Sequence, residues 1–178
     1  MKQSVAFLRT SVALSVLLLG AFVTTALAGD GGEVAGLVGL SHYGDGGGNH
    51  STWGGSGGVY VGSRVLLRGE LAYTRLWSDG SDSGKLVDLY GGADVNLTSK
   101  GSRVVPYVGF GLGGGQRIAT SDSARTLVVS GAFGARLYAG RKWGVKPEIR
   151  VFRWFEREGD FGGTAVRVGA SVFYEFGR

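Results

Sequence analysis

From residue 33 onward, hydrophobic positions recur at every second residue rather than every third or fourth. In the last segment Val166, Val168, Ala170, Val172, Tyr174 and Phe176 share one face, and Arg167, Gly169, Ser171, Phe173 and Glu175 share the other. A strand directs successive side chains to opposite faces, so this spacing predicts a strand with one apolar side. Other segments repeat it. Val87, Leu89, Gly91, Ala93, Val95 and Leu97 oppose Asp88, Tyr90, Gly92, Asp94 and Asn96. Leu67, Leu71 and Tyr73 oppose Arg68, Glu70 and Thr74. Val129, Phe133, Ala135 and Leu137 oppose Ser130, Gly134, Arg136 and Tyr138, while Val145, Pro147, Ile149 and Val151 oppose Lys146, Glu148 and Arg150.

Eight strands are predicted, over 33–43, 52–61, 65–77, 86–97, 104–115, 126–139, 144–154 and 164–176. Glycine dilutes the alternation in the first two. Most are longer than the roughly 5–6 residues usual in soluble sheets and suit the roughly 9–11 that a tilted membrane strand needs. The connections alternate in length. Gly62-Ser63-Arg64, Thr98 to Arg103 and Gly140 to Trp143 are short; Gly44 to Ser51, Ser78 to Lys85, Gln116 to Arg125 and Phe155 to Gly163 are longer and polar. This rhythm predicts an all-β fold, an eight-stranded antiparallel up-and-down transmembrane β-barrel, with both termini on the short-turn rim.

The same strands could build a soluble ligand-binding barrel with the apolar face inward. Three features favour the inverted sense. The polar face carries few, interleaved charges: Arg68, Glu70, Asp88, Asp94, Arg136, Lys146, Glu148, Arg150, Arg167 and Glu175. An eight-stranded lumen is filled by side chains, so these ten are expected to form a structural charge network there. Opposite charges must pair in such a place, because a lone buried ion is expensive. Arg68, Glu70, Glu148, Arg150 and Arg167 are its expected centre. Aromatics also gather near strand ends, Trp53, Trp77, Trp154 and Phe155 towards the long-loop rim and Tyr60, Trp143, Tyr174 and Phe176 towards the short-turn rim, as two interfacial girdles would. Finally, the chain ends on a strand with alternating apolar residues. Arg153 has outward parity but sits at a loop end, where a charge costs about 0–1 kcal/mol. Pro106 and Pro147 cannot donate to a ladder, and both lie close to short turns, where the rim absorbs the loss.

The N-terminus reads differently. Lys2 and Arg9 precede an apolar run from Val12 to Val23 that ends in Ala26-Leu27-Ala28. That is the layout of a secretory signal peptide, so residues 1–28 are expected to be cleaved and 29–178 to form the barrel domain. The chain has no cysteine, which excludes disulfides, thiolate metal sites and lipidation at the mature N-terminus. A formal charge of +5, two units of it from Lys2 and Arg9, gives no reason to expect a nucleic-acid partner. Glycine is abundant, at 35 residues, but a hydrophobic content of 43% excludes disorder as its meaning.

The signal-like start, the eight strands and the C-terminal VRVGASVFYEF, with VVPYVGFGLGGG and GVKPEIRVFRW before it, resemble the small outer-membrane β-barrel family that includes the OmpA transmembrane domain, OmpX and the opacity-type porin-like proteins. The resemblance covers residues 33–176 and implies a location in the outer membrane of a Gram-negative-type bacterium, contact with its lipids and no cofactor.

Candidate chemistry is sparse. The only histidines are His42 and His50, in or beside the first long connection, and His50-Ser51 raises a lipid A-modifying hydrolase. A triad needs nucleophile, base and acid to converge, and adjacent residues point apart, so no catalytic residue is assigned. Gly44 to Asn49 is glycine-rich, but no helix follows it as a phosphate loop requires. Asp79, Asp82, Asp122 and Asp160 match no calcium loop and read as solvated acids. The expected function is a structural, envelope-integrity or surface-interaction role through extracellular loops, as a monomer, with an unspecified extracellular partner. A small-solute porin-like channel is the alternative, and it requires the lumen charges to stand apart.

Overall fold

A computed structural model describes residues 31–44, 48–76, 84–98, 101–118, 123–155 and 163–177. Eight strands follow in order: β1 (Gly32–Tyr43), β2 (Gly48–Val61), β3 (Val65–Arg75), β4 (Lys85–Asn96), β5 (Val104–Ile118), β6 (Ser123–Tyr138), β7 (Trp143–Phe155) and β8 (Gly163–Phe176). Each pairs antiparallel with the next, and β1 pairs with β8, from Gly32↔Phe176 to Tyr43↔Ala165, so the sheet closes. Closure leaves no free edge, as a sheet in hydrocarbon requires. At this seam the Phe176 ring covers Gly32; a Cβ there would sit 2.6 Å from the ring.

Alternation becomes burial. In β7 inward and outward residues alternate over the whole strand. Val38, Leu40, Phe110, Leu112, Phe133, Val168 and Val172 face outward, each with about 57–66% exposure. An apolar belt running round the molecule far exceeds the few hundred Å² that a water-soluble monomer exposes. The charged face is the buried one, so the soluble sense of the same strands is excluded.

Strand limits differ from expectation at the long-loop rim. β2 begins at Gly48 rather than 52, β5 reaches Ile118 rather than 115, and β6 starts at Ser123 rather than 126. Beyond the bilayer both faces of a strand meet water, so alternation fades while the backbone ladder continues. His50 and Ser51 therefore lie in β2, paired with Ser41 and Leu40, and not in a loop. β3 ends at Arg75, two residues short of its expected end. Trp77, Asp79, Asp82, Asp122, Asp160 and residues 1–28 lie outside the described residues.

The short turns need little chain. Gly62 takes φ +65°, the left-handed region that glycine enters without strain. Both Ala139 N–H and Gly140 N–H donate to the Trp143 carbonyl at 3.1 Å. Near this turn the β6–β7 register runs from Leu127↔Phe155 to Gly134↔Glu148 and resumes at Leu137↔Val145. The gap faces Pro147, which has no N–H to give. Pro106 keeps its place: its carbonyl accepts from Leu97 N–H at 2.8 Å.

Candidate functional site

The lumen is the site the fold builds, because period-two strands send every second side chain into it. All ten charges expected there are inward and buried: Arg68, Glu70, Asp88, Asp94, Arg136, Lys146, Glu148, Arg150, Arg167 and Glu175. Nine charged side chains form one connected set. Lys146 Nζ lies 2.7 Å from Glu33 Oε1, and Arg136 Nε lies 2.9 Å from Glu33 Oε2. Arg136 Nη2 reaches Asp94 at 3.2 Å, and Arg68 Nε approaches the other oxygen of Asp94 at 3.0 Å. Arg68 then meets Glu70 at 2.7 Å and Glu148 at 3.5 Å. Arg167 bridges Glu70 and Glu148 at 2.6 and 3.3 Å, and Arg150 Nε sits 2.7 Å from Glu148.

Hydroxyls and rings complete the packing around these ions. Tyr107 donates to Glu148 Oε2 at 2.8 Å, and Arg167 donates to the Tyr90 hydroxyl at 3.1 Å. The Arg136 guanidinium lies 4.6 Å from the Tyr107 ring centre, and that of Arg150 lies 5.3 Å from Tyr90. β5 turns glycines inward opposite this crowd. A Cβ on Gly109 would come within 2.6 Å of Asp94 Oδ1, so the missing side chain is the space the carboxylate uses.

Two expected lumen charges stand outside the set. Glu175 Oε1 accepts hydrogen bonds from the Tyr60 and Tyr138 hydroxyls at 2.6 and 2.7 Å. Asp88 lies higher, 3.5 Å from Trp154 Nε1. Around it the contents change. Tyr43, Phe152 and Trp154 stack at 5.4 and 5.5 Å between ring centres, and His50 meets Tyr43 edge-on at 5.1 Å. Beside them Ser41, Thr52 and Thr74 form a ladder of buried hydroxyls 2.8 Å apart.

Two girdle assignments are corrected. Tyr60 and Trp154 are each only 3% exposed and belong to the lumen. Both lie near a rim, but their parity is that of Arg68-type neighbours: Tyr60 is two residues from buried Gly58, and Trp154 is four from Arg150. Trp53, Trp143, Phe155 and Tyr174 do face outward at the rims. Glu33, which joins Lys146 to Arg136, was not anticipated; outward Val34 and Val38 set its inward parity, but it opens a glycine-diluted strand. Arg153 is exposed near the long-loop rim and donates to Thr164 Oγ1 at 2.9 Å. His50 and Ser51 point to opposite faces, as do His42 and His50; His42 instead reaches Asn49 on the outside at 3.0 Å.

Solved structures of the same shape are outer-membrane barrels. The Neisserial surface protein A superposes with a TM-score of 0.63 at 14% identity, over 82% of this chain and 96% of that one. The N-terminal β-barrel domain of Pseudomonas aeruginosa OprF gives 0.57 at 19% identity, over 83% and 98%. Ail, the attachment invasion locus protein of Yersinia pestis, solved with the heparin analogue sucrose octasulfate, gives 0.51 at 13% identity, over 81% and 97%. No curated protein matches the sequence. Residues 13–176 match the model of the outer membrane protein beta-barrel domain, and the chain belongs to that family, as a barrel of the outer membrane.

Proposed function

We propose that this protein is a non-conducting anchor in the outer membrane, with its short-turn rim in the periplasm and its longer connections outside for envelope-integrity or surface-interaction work. The ten lumen charges serve as structure. The observation that carries this reading is the connected set of ion pairs, which draws side chains from six of the eight strands across the lumen. A pore for small solutes needs charges that stand apart with water between them. Here each cation of the set lies within 3.5 Å of a carboxylate. That leaves the outer connections as the parts free to meet a partner. Ail, with its heparin analogue, is an example of a barrel of this shape crystallised with a ligand.

Reconstitution of the mature chain into planar bilayers tests the reading. Silence under applied voltage is expected, with insertion checked by heat-modifiable gel mobility. Discrete conductance steps from the folded protein would overturn it in favour of a small-solute channel.

A further inference from the structure

The three connections of the short-turn rim carry one sign of charge. They are residues 62–64, 97–103 and 139–142, and they contain Arg64, Lys100, Arg103, Arg141 and Lys142 and no acid. The opposite rim mixes both signs, with acids such as Asp79 and Glu156 in its connections and bases such as Arg75 and Lys85 at its strand ends. The basic rim is therefore a local feature and not a reflection of net charge.

Two of these bases share a cavity of about 310 Å³. Arg103 comes from the turn before β5, Arg141 from the turn before β7, and Ser102 and Gly140 border them. The turns are fixed relative to each other: Tyr138 N–H donates to the Arg103 carbonyl at 2.9 Å, and Glu175 N–H to the Lys142 carbonyl at 2.6 Å. Glu175 also lines the cavity; it is buried, and its carboxylate accepts hydrogen bonds from the Tyr60 and Tyr138 hydroxyls. Directly outside this sector Trp143 and Tyr174 are cross-strand partners facing outward, with Leu137 and Val145 exposed beside them. Indole and phenol rings settle at the level of lipid headgroups, so the cavity opens at the headgroup plane with an apolar wall beneath it.

We propose that this cavity holds the phosphate of an anionic glycerophospholipid in the periplasmic leaflet, its acyl chains lying along the outer wall of β6 and β7. Guanidinium groups match phosphate with paired hydrogen bonds, and basic pockets at a membrane surface select anionic headgroups. The inference rests on the orientation given under the proposed function. An anionic periplasmic polymer such as peptidoglycan would meet the same charges, but it has no use for the adjoining apolar wall.

The test is native mass spectrometry of the full mature chain in detergent, offered equal amounts of phosphatidylglycerol and phosphatidylcholine with the same acyl chains. Phosphatidylglycerol adducts should exceed phosphatidylcholine adducts several-fold. The preference should vanish in R103Q/R141Q and survive in R64Q, whose base lies on the β2–β3 turn, two strands from the Arg103 turn and four from the Arg141 turn, and does not line the cavity. Heat-modifiable mobility reports folding, and R141Q alone serves if the double variant does not fold. Equal adducts in the parent protein would overturn the site. So would a loss in R64Q as large as in R103Q/R141Q, which would mean diffuse attraction. Arg103- and Arg141-dependent sedimentation with purified peptidoglycan, without lipid preference, would assign the cavity to the polymer instead. A conducting barrel would overturn the plug while leaving this lipid result untouched.

Discussion

The lumen has two halves that are filled by different physics. From the short-turn rim up to Arg150 and Arg167 it is packed with ions, and most of the guanidiniums and carboxylates contact two or more neighbours, many of them on other strands. Above them, towards the long loops, stacked rings and a hydroxyl ladder take over. Buried ion pairs add little net stability over an apolar filling, because desolvation offsets most of the attraction. Removing one partner is nonetheless severe, because it strands the others. Stacked rings are more independent, and losing one costs mainly its own contacts. The lower half should therefore fail as a unit and the upper half residue by residue.

The strongest test of that contrast is R136L. The substitution takes a fully buried guanidinium from Glu33, Asp94 and Asn96 at once. It should cost about 3–5 kcal/mol, read as a lowered midpoint for chemical unfolding from lipid vesicles. A cost near that of an ordinary surface change would mean that water already solvates these groups, and the lower half would have to be described as wet.

In the upper half, T52V removes the middle of the hydroxyl ladder and leaves Ser41 and Thr74 each short of a partner. The expected loss is about 1–3 kcal/mol by the same unfolding measurement. The change keeps side-chain shape, so a null result would show that both outer hydroxyls find other partners, and the upper half would be more adaptable still.

Much of this organisation is legible in the chain because period-two alternation fixes which way a side chain points. Parity alone puts Arg68, Asp94, Glu148 and Arg167 in one lumen. It does not say which of them meet, because that depends on the stagger between strands: Arg68 and Glu148 are 80 residues apart and join only through closure. Tyr60 and Trp154 show how nearness to a rim misleads when parity is set aside, since girdle membership requires an outward side chain as well as the right depth. Glu33 is harder to place because glycines thin the alternation of β1, although the outward parity of Val34 and Val38 fixes its inward direction. The β5 glycines carry no side chain to announce a role, and in the barrel Gly109 is the recess that Asp94 occupies.

A smaller effect is expected from F152L. Phe152 packs against Tyr90 at 5.9 Å and Trp154 at 5.5 Å between ring centres, and the Arg167 guanidinium lies 5.1 Å from its ring centre. Leucine keeps most of the apolar volume and gives up the ring contacts, for a loss of about 1–2 kcal/mol. Combining F152L with T52V should give nearly additive losses in unfolding free energy if upper-half residues act independently. Strong coupling between them would erase the distinction from the lower half.

The smallest effect should come from the one carboxylate placed among the rings. Asp88 is 4% exposed and receives a single long hydrogen bond, from Trp154 Nε1 at 3.5 Å. Among the described residues no ion pair reaches it, because Arg167, the nearby cation of the network, is spent on Glu70 and Glu148. Its oxygen fills the recess left by Gly115, where a Cβ would meet Asp88 Oδ1 at 2.5 Å, so any replacement must keep the same shape. D88N does so: it removes an uncompensated charge while retaining an acceptor for Trp154. Stability should be unchanged or raised by about 1 kcal/mol, since neutralising a lone buried ion removes a desolvation cost without stranding a partner. E148Q, an equally conservative change in the lower half, weakens contacts to Arg68, Arg150 and Arg167 and should destabilise the barrel clearly. If D88N proved as damaging as E148Q in the same vesicle unfolding experiment, Asp88 would have to share Arg167 with the network below. The charged region would then extend through the ring layer, and the lumen would be one ionic column rather than two halves.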